Sequence, residues 1–295
     1  MEITSKVSNG IRKRQNEENS ILKLAAQRQI YNEAKKIEYL IVIFSVVIPF
    51  VFACIQIFIK NNAILNSWSY IFSFFSMIVA LIFSAHIDKK KGNAAFIQQQ
   101  FDIYVYQMPW DKKLFGKNRN VNDVIADKSR KHLENAANKE KLMDWYPPIV
   151  DTVQINKGIL SCQKENYKWD VDLRKRFRIA SIIVVVILIT IIIMFGIISD
   201  ETISDMICRL AFIFPLAVWL FETIKKLNHD ISRLSELYDF LSDKKDKDLD
   251  ELQCIQKLIY EHRKACMFIP NFFYQFFYKK DEQTAKNMVQ IDSRE

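Results

Sequence analysis

Four long apolar runs divide the chain, and polar, charged segments separate them. The runs cover residues 37–59, about 64–85, 179–198 and 206–224. A helix needs about 20 apolar residues to cross the hydrocarbon core of a bilayer, and each run is close to that length. The third run is apolar around its whole circumference, whereas a surface helix of a soluble protein keeps a polar face. The pattern therefore predicts four transmembrane helices.

Basic residues flank these runs unevenly, and this asymmetry predicts their orientation. Eight Lys or Arg precede the first run, and further clusters lie at 89–91, 174–178 and 225–226. In contrast, the turn between the first two runs holds only Lys60, and the turn at 199–202 holds no basic residue. Because basic flanks stay in the cytoplasm, we expect two helical hairpins with the N-terminus, the middle segment and the C-terminus all cytoplasmic.

This topology predicts a mainly α membrane protein with four transmembrane helices in two hairpins and a mostly helical cytoplasmic region. The five predicted segments are a cytoplasmic N-terminal helix (1–36), transmembrane hairpin one (37–86), a cytoplasmic middle domain (87–178), transmembrane hairpin two (179–224) and cytoplasmic C-terminal helices (225–295).

Shorter patterns predict the elements of the cytoplasmic segments. Apolar residues at helical spacing predict a helix over 15–36 that continues into the first run. The alternating stretch at 102–106 predicts a short strand, and helices are expected over 122–138 and 158–177. Two amphipathic helices should follow the fourth run, separated by the charged turn at 242–248.

The sequence shows none of the common signatures of catalysis. It has only 5 Gly and no GxGxxG, P-loop or GxSxG motif, which argues against a phosphate cradle or a nucleophile elbow. Its four His are scattered without HExxH, and its five Cys form no CxxC. We therefore predict a protein that is not an enzyme, with no metal and no cofactor, whose cytoplasmic parts lack disulfides.

Several short motifs follow one another in a set order along nearly the whole chain. They are Arg14–Glu17, Ala25–Arg28 with Tyr31, Gln100–Asp102, Pro109–Trp110, Asp144–Pro147, Cys162–Gln163 with Trp169–Asp170 and Leu173–Arg174, and Glu261–Arg263. Together with two pairs of apolar runs, this order resembles the bacterial SMODS-associated four-transmembrane effector family, whose members are described as pore-forming effectors.

The resemblance implies a role in cyclic-oligonucleotide-based anti-phage signalling. A nucleotidyltransferase would sense infection and make a cyclic di- or trinucleotide as the activating ligand. The effector would bind it and disrupt the bacterial inner membrane by pore formation, so that the cell stops growing or dies. The implied partners are the lipid bilayer and this nucleotide, with no DNA or RNA. The open alternative is a non-conducting, membrane-anchored scaffold or receptor that recruits cytoplasmic partners.

Aromatic and arginine side chains are the candidates for ligand binding, because bases stack on aromatic rings and guanidinium groups bind phosphates. The candidates for stacking are Trp110, Trp145 and Tyr146, and the candidates for phosphate contacts are Arg28, Arg174, Arg176 and Arg263. The alternative is that the aromatic residues form the core of the middle domain and that the arginines near the membrane lie among anionic headgroups.

Two further patterns concern the membrane part. Ser69, Ser73, Ser76 and Ser84 share one helix face, which predicts either a helix–helix seam or a wetted path. Asp205 and Arg209 are four residues apart in the favourable order for a helical ion pair. Arg209 is then either an interfacial anchor or part of the outer pore mouth. Four packed helices leave no channel between them, so a pore requires a homo-oligomer.

Overall fold

The chain is mainly helical. The computed structural model describes residues 8–48, 50–52, 55, 63–198, 203–277 and 283–284, and no β-strand occurs within them. The helices are α1 (Ile11–Gln15), α2 (Glu18–Val42), α3 (Ala63–Tyr106), α4 (Lys112–Phe115), α5 (Asn122–Leu133), α6 (Ala137–Glu140), α7 (Ile155–Ile198), α8 (Ile203–Ser242) and α9 (Leu249–Ala265). A π-helical turn follows α2 at Ile43–Val47, a 3-10 turn precedes α7 at Pro148–Thr152, and residues 271–277 are again helical. The predicted mainly α fold class is confirmed.

The second, third and fourth apolar runs lie on α3, α7 and α8. The described part of the first run begins on the end of α2 and continues through the π-helical turn to residues 48, 50–52 and 55. Among the helices of the described ranges, none combines the length and the apolarity needed to cross a bilayer. The four transmembrane helices therefore stay a prediction.

The predicted strand at 102–106 is wrong, because these residues form the last turns of α3. Of this stretch only Tyr104 is exposed, and the other four side chains are buried. A helix that is buried on nearly all sides shows no amphipathic period. The short alternation of polar and apolar residues at 102–106 therefore resembled the pattern of a strand. The helix ends where Gln107 takes a φ of 57° and the Met108 amide donates to the Ile103 carbonyl at 3.0 Å, the geometry of a Schellman cap.

Other predicted boundaries are confirmed in part. The helix expected over 15–36 is interrupted after α1 and resumes as α2, which continues into the first apolar run. The helix expected over 122–138 is split into α5 and α6, and the one expected over 158–177 lies inside the longer α7. The turn at 242–248 is confirmed, because α9 begins after it with a capping box formed by Asp248 and Glu251.

The chain forms two compact units. Unit one contains the described residues of 1–33, 89–174 and 230–295, and unit two contains those of 34–88 and 175–229. The apolar core of unit one draws on α1, α2, α3, α7, α8 and α9, together with the segments between them.

A buried polar network lies within the core of unit one. The side-chain amide of Gln256 donates to Gln99 Oε1 and to Asp102 Oδ2, each at 2.9 Å. Gln163 donates in turn to Gln256 Oε1 at 3.1 Å. Buried polar groups are costly unless they are hydrogen-bonded, so this network restricts how α3, α7 and α9 can pack in unit one.

Unit two has a different surface. Large apolar side chains are exposed along its helices, among them Phe74 (64% exposed), Ile82 (65%), Ile198 (76%) and Phe221 (66%). A soluble monomer rarely exposes an extended apolar patch, so these faces need a cover of lipid or of protein.

Candidate ligand site

A cleft of about 900 Å³ lies in unit one. Its walls come from α1, the start of α2, the last turns of α3 and the segment after α3. The polar and aromatic residues at its walls include Lys13, Arg14, Glu17, Lys23, Tyr104 and Trp110. Small-molecule sites range from about 300 to 1,000 Å³, so the cleft has the size of a site for a nucleotide.

The loop after α3 holds the ring of Trp110 in place. Its indole N–H donates to the Gly116 carbonyl at 2.9 Å, and its ring lies 5.4 Å from that of Phe96 and 5.6 Å from that of Phe115 between centroids. Gly116 ends the short α4 with a φ of 75°, a conformation that glycine adopts without strain. The half-buried ring is therefore pre-positioned at the wall of the cleft.

Lys23 is a half-buried cation in this cleft. Its ammonium lies 5.3 Å from the centroid of the Tyr104 ring, and within the described ranges no carboxylate forms an ion pair with it. Burial lowers the pKa of Lys23, because removing an ammonium group from water without a counter-ion disfavours its charged form. A bound anion would reverse this effect.

Two backbone carbonyls accept hydrogen bonds from Arg14, and one donor of its guanidinium has no partner. Its Nε donates to the Val105 carbonyl at 2.8 Å and its Nη1 donates to the Asn9 carbonyl at 3.0 Å, whereas its Nη2 is buried without a partner. Burial lowers the pKa of Arg14. The carboxylate of Glu17 accepts a short hydrogen bond from the hydroxyl of Tyr104.

Two of the ligand-binding residues predicted from the sequence lie together. The guanidinium of Arg28 lies 5.4 Å from the centroid of the Trp145 ring. Burial and then the charge of Arg28 lower the pKa of His132. Trp110, a third predicted residue, lines the cleft.

Tyr146 and Arg263, in contrast, are bound to partners inside the protein. The hydroxyl of Tyr146 lies 2.7 Å from that of Tyr106 in the core, and Arg263 forms a short ion pair with the buried Asp102. Burial raises the pKa of Tyr146. The pKa of Arg263 is raised although burial opposes it, because the Asp102 carboxylate favours the charged guanidinium.

Arg174 is also buried and paired. Its Nη1 lies 2.7 Å from Asp230 Oδ2 and its Nε lies 3.0 Å from Asp170 Oδ1. Nη1 also donates to the Met267 carbonyl at 3.1 Å. Arg176 is half-buried on the part of α7 that belongs to unit two. The roles of these arginines in ligand binding stay predictions.

The predicted pore residues are described only in part. Ser84 is exposed on α3. Ser69, Ser73 and Ser76 share that helix, and Asp205 and Arg209 lie on α8. The side chains of these five residues are outside the described part of the chain.

Lys13, Lys23 and Tyr104 were not predicted as binding residues from the sequence. Both lysines contributed there only to the positive charge before the first apolar run. The available signal was their closeness in the sequence to motifs of the family. Lys13 on α1 is adjacent to the motif Arg14–Glu17, and Lys23 lies further along on α2. Tyr104 on α3 lies just after the motif Gln100–Asp102.

The ordered motifs and the mainly helical fold are consistent with a single family over nearly the whole chain. The chain belongs to the family of SMODS-associating 4TM effector domains, whose model matches residues 9–291. The predicted family is therefore confirmed.

A curated relative is similar over the same length. It is a probable CBASS effector molecule of Bacillus cereus (strain VD146), 25% identical over 293 residues that cover 95% of this chain and 96% of the relative. No solved structure matches the chain.

Proposed function

We propose that this protein is an anti-phage effector that binds a cyclic di- or trinucleotide and then permeabilises the bacterial inner membrane. The match of the effector family across residues 9–291 carries this proposal. The name of the Bacillus cereus relative supports the same signalling system. The nucleotide would come from a nucleotidyltransferase that senses infection.

The membrane part of the proposal rests on the four apolar runs and on the exposed apolar faces of unit two. We propose that the runs cross the membrane as two hairpins, at 37–86 and 179–224, with both termini in the cytoplasm. Unit one would then be the cytoplasmic sensor. Lipid and further copies of the chain would cover the apolar faces, and a homo-oligomer would enclose the pore.

The ligand can open the pore only through a difference in affinity between two states. A shift from 1:99 to 99:1 in favour of the open state requires about 10⁴-fold tighter binding to that state. The cytoplasmic sensor must therefore bind the nucleotide more tightly in the open arrangement.

Within the membrane part, we propose that the serine face of α3 lines a helix seam or the pore, and that Arg209 lies at its outer mouth beside Asp205. Replacing Ser73 and Ser76 by Leu should then abolish killing. Arg209→Glu should shift reversal potentials toward cations while nucleotide binding is unchanged. Unaltered selectivity in a normally inserted variant would leave Arg209 as an anchor.

Dye release from liposomes tests the proposed function directly. The full chain is reconstituted and exposed to cyclic di-AMP, cyclic di-GMP or cyclic tri-AMP, with the linear dinucleotide as the matched control. Leakage with a cyclic nucleotide, and none with the linear one, is the expected result. Binding without leakage would instead support the membrane-anchored scaffold or receptor, and neither binding nor leakage would refute the proposal.

A further inference from the structure

We propose that the cleft beside Trp110 is the site for the cyclic nucleotide, with Lys13 and Lys23 contacting its phosphates and Trp110 or Tyr104 stacking on a base. This inference rests on the proposed function and names the site within unit one.

Cations outnumber carboxylates in the cleft. Three cations line it, Lys13, Arg14 and Lys23, against one carboxylate, Glu17. Within the described part of the chain neither lysine forms an ion pair. With three cations against one carboxylate, the lining of the cleft carries excess positive charge, and a phosphate diester is the kind of anion that complements it.

The rest of the cleft wall offers groups that suit a base. Trp110 and Tyr104 present aromatic surface, and base stacking needs no sequence-specific hydrogen bond. The side-chain amides of Gln107 and Asn122 also line the cleft, and among the described residues they have no hydrogen-bond partner. An amide both donates and accepts, so these two groups can pair with the edge of a base.

Two other cations of unit one differ from these lysines. Arg174 and Arg263 already form buried ion pairs with Asp230 and Asp102. A phosphate could bind either arginine only by separating it from its carboxylate, which would leave a buried charge without a partner. No such separation is needed at Lys13 or Lys23.

The test is nucleotide binding to the full chain in detergent, measured by calorimetry with cyclic di-AMP, cyclic di-GMP and cyclic tri-AMP. Lys23→Glu and Lys13→Glu should each weaken binding about tenfold or more, because each replaces a phosphate contact by a repulsive charge. Trp110→Leu keeps apolar contact with Phe96 and should weaken binding about tenfold by removing the stacking surface.

Lys139→Glu is the matched control, because it makes the same charge change on an exposed residue of α6 that does not line the cleft. The dissociation constant of this variant should stay within about twofold of the wild-type value, since an exposed charge without contact to the ligand is screened. Lys13 is exposed as well, so its substitution tests the site without disturbing the core.

Two results would overturn the inference, and they differ. If the wild type binds a cyclic nucleotide and all three cleft variants bind it equally well, the site is elsewhere and the proposed function stands. If the wild type binds none of the three nucleotides, the proposed function fails together with the site.

Discussion

Replacing Arg174 by Met tests whether this arginine supports the fold of unit one. The guanidinium is 4% exposed and Asp230 is 2% exposed, and their closest nitrogen and oxygen atoms are 2.7 Å apart. Asp170 approaches the same guanidinium from the preceding turn of α7 and also contacts His262 Nε2 at 2.6 Å. The substitution would leave two carboxylates without their common partner.

The expected loss of stability follows from this burial. Removing one partner of a buried ion pair costs about 3–5 kcal/mol, because the remaining charge stays uncompensated. Burial raises the pKa of Asp170, but the charges of Arg174 and His262 outweigh it and hold that pKa well below its ordinary value. Without Arg174 part of the loss would therefore appear as protonation of Asp170 at a higher pH.

Thermal unfolding of unit one, followed by circular dichroism of the full chain, measures this loss. In a domain of 150–250 residues each kcal/mol shifts Tm by about 2–4 °C, so Arg174→Met should lower Tm by about 6–20 °C. The control is Glu261→Gln, which removes an exposed pair with Lys264 at 3.2 Å worth at most about 1 kcal/mol. Equal small shifts for both variants would refute a stabilising role of the buried pair.

Three further predictions concern stability. Burial raises the pKa of Glu33, but hydrogen bonds from Lys128 and Lys90 outweigh it and lower the pKa to about 2. A lowered pKa stabilises the fold above the unfolded value, and this stability is lost as the pH falls from about 5 to 2. Glu33→Gln should thus lower the free energy of unfolding at pH 7 by about 1 kcal/mol. When Tm is measured against pH, the difference between this variant and the wild type should disappear in acid. Gly158→Ala should destabilise by about 1–3 kcal/mol in denaturant titration, since its Cβ would lie 2.8 Å from a backbone carbonyl. Gly92→Ala should instead stabilise by about 0.5–1 kcal/mol, because nothing lies within 4 Å of its Cβ. If the two substitutions changed the free energy of unfolding equally, the difference in space around Gly158 and Gly92 would be contradicted.

The helices could be predicted well from the sequence where one face is polar. The turn at 242–248 was found because a charged stretch interrupts two amphipathic patterns, and Asp248 caps the helix that follows. The end of α3 was missed for the opposite reason. Asp102 is buried there, so a charged residue that would mark the polar face of a surface helix lies inside the core.

The pairing of charges could not be predicted, because its partners are far apart in the sequence. Arg174 and Asp230 are separated by 56 residues, and Arg263 and Asp102 by 161. A run of basic residues looks the same whether each side chain faces solvent or meets a distant carboxylate. Only the folded structure distinguishes Arg174, which forms ion pairs, from Lys23, which forms none within the described part of the chain.

This difference favours Lys23 over Arg174 and Arg263 as a place where an anion binds in unit one. At Arg174 or Arg263 a phosphate must displace a carboxylate and leave it unpaired in the core, which costs about 3–5 kcal/mol. That loss alone would weaken binding about 10²–10³-fold or more. At Lys23 a phosphate instead supplies the counter-ion that a half-buried ammonium lacks, and it raises a pKa that burial has lowered. Such binding would favour one state of the effector only as far as the phosphate is bound more tightly in that state.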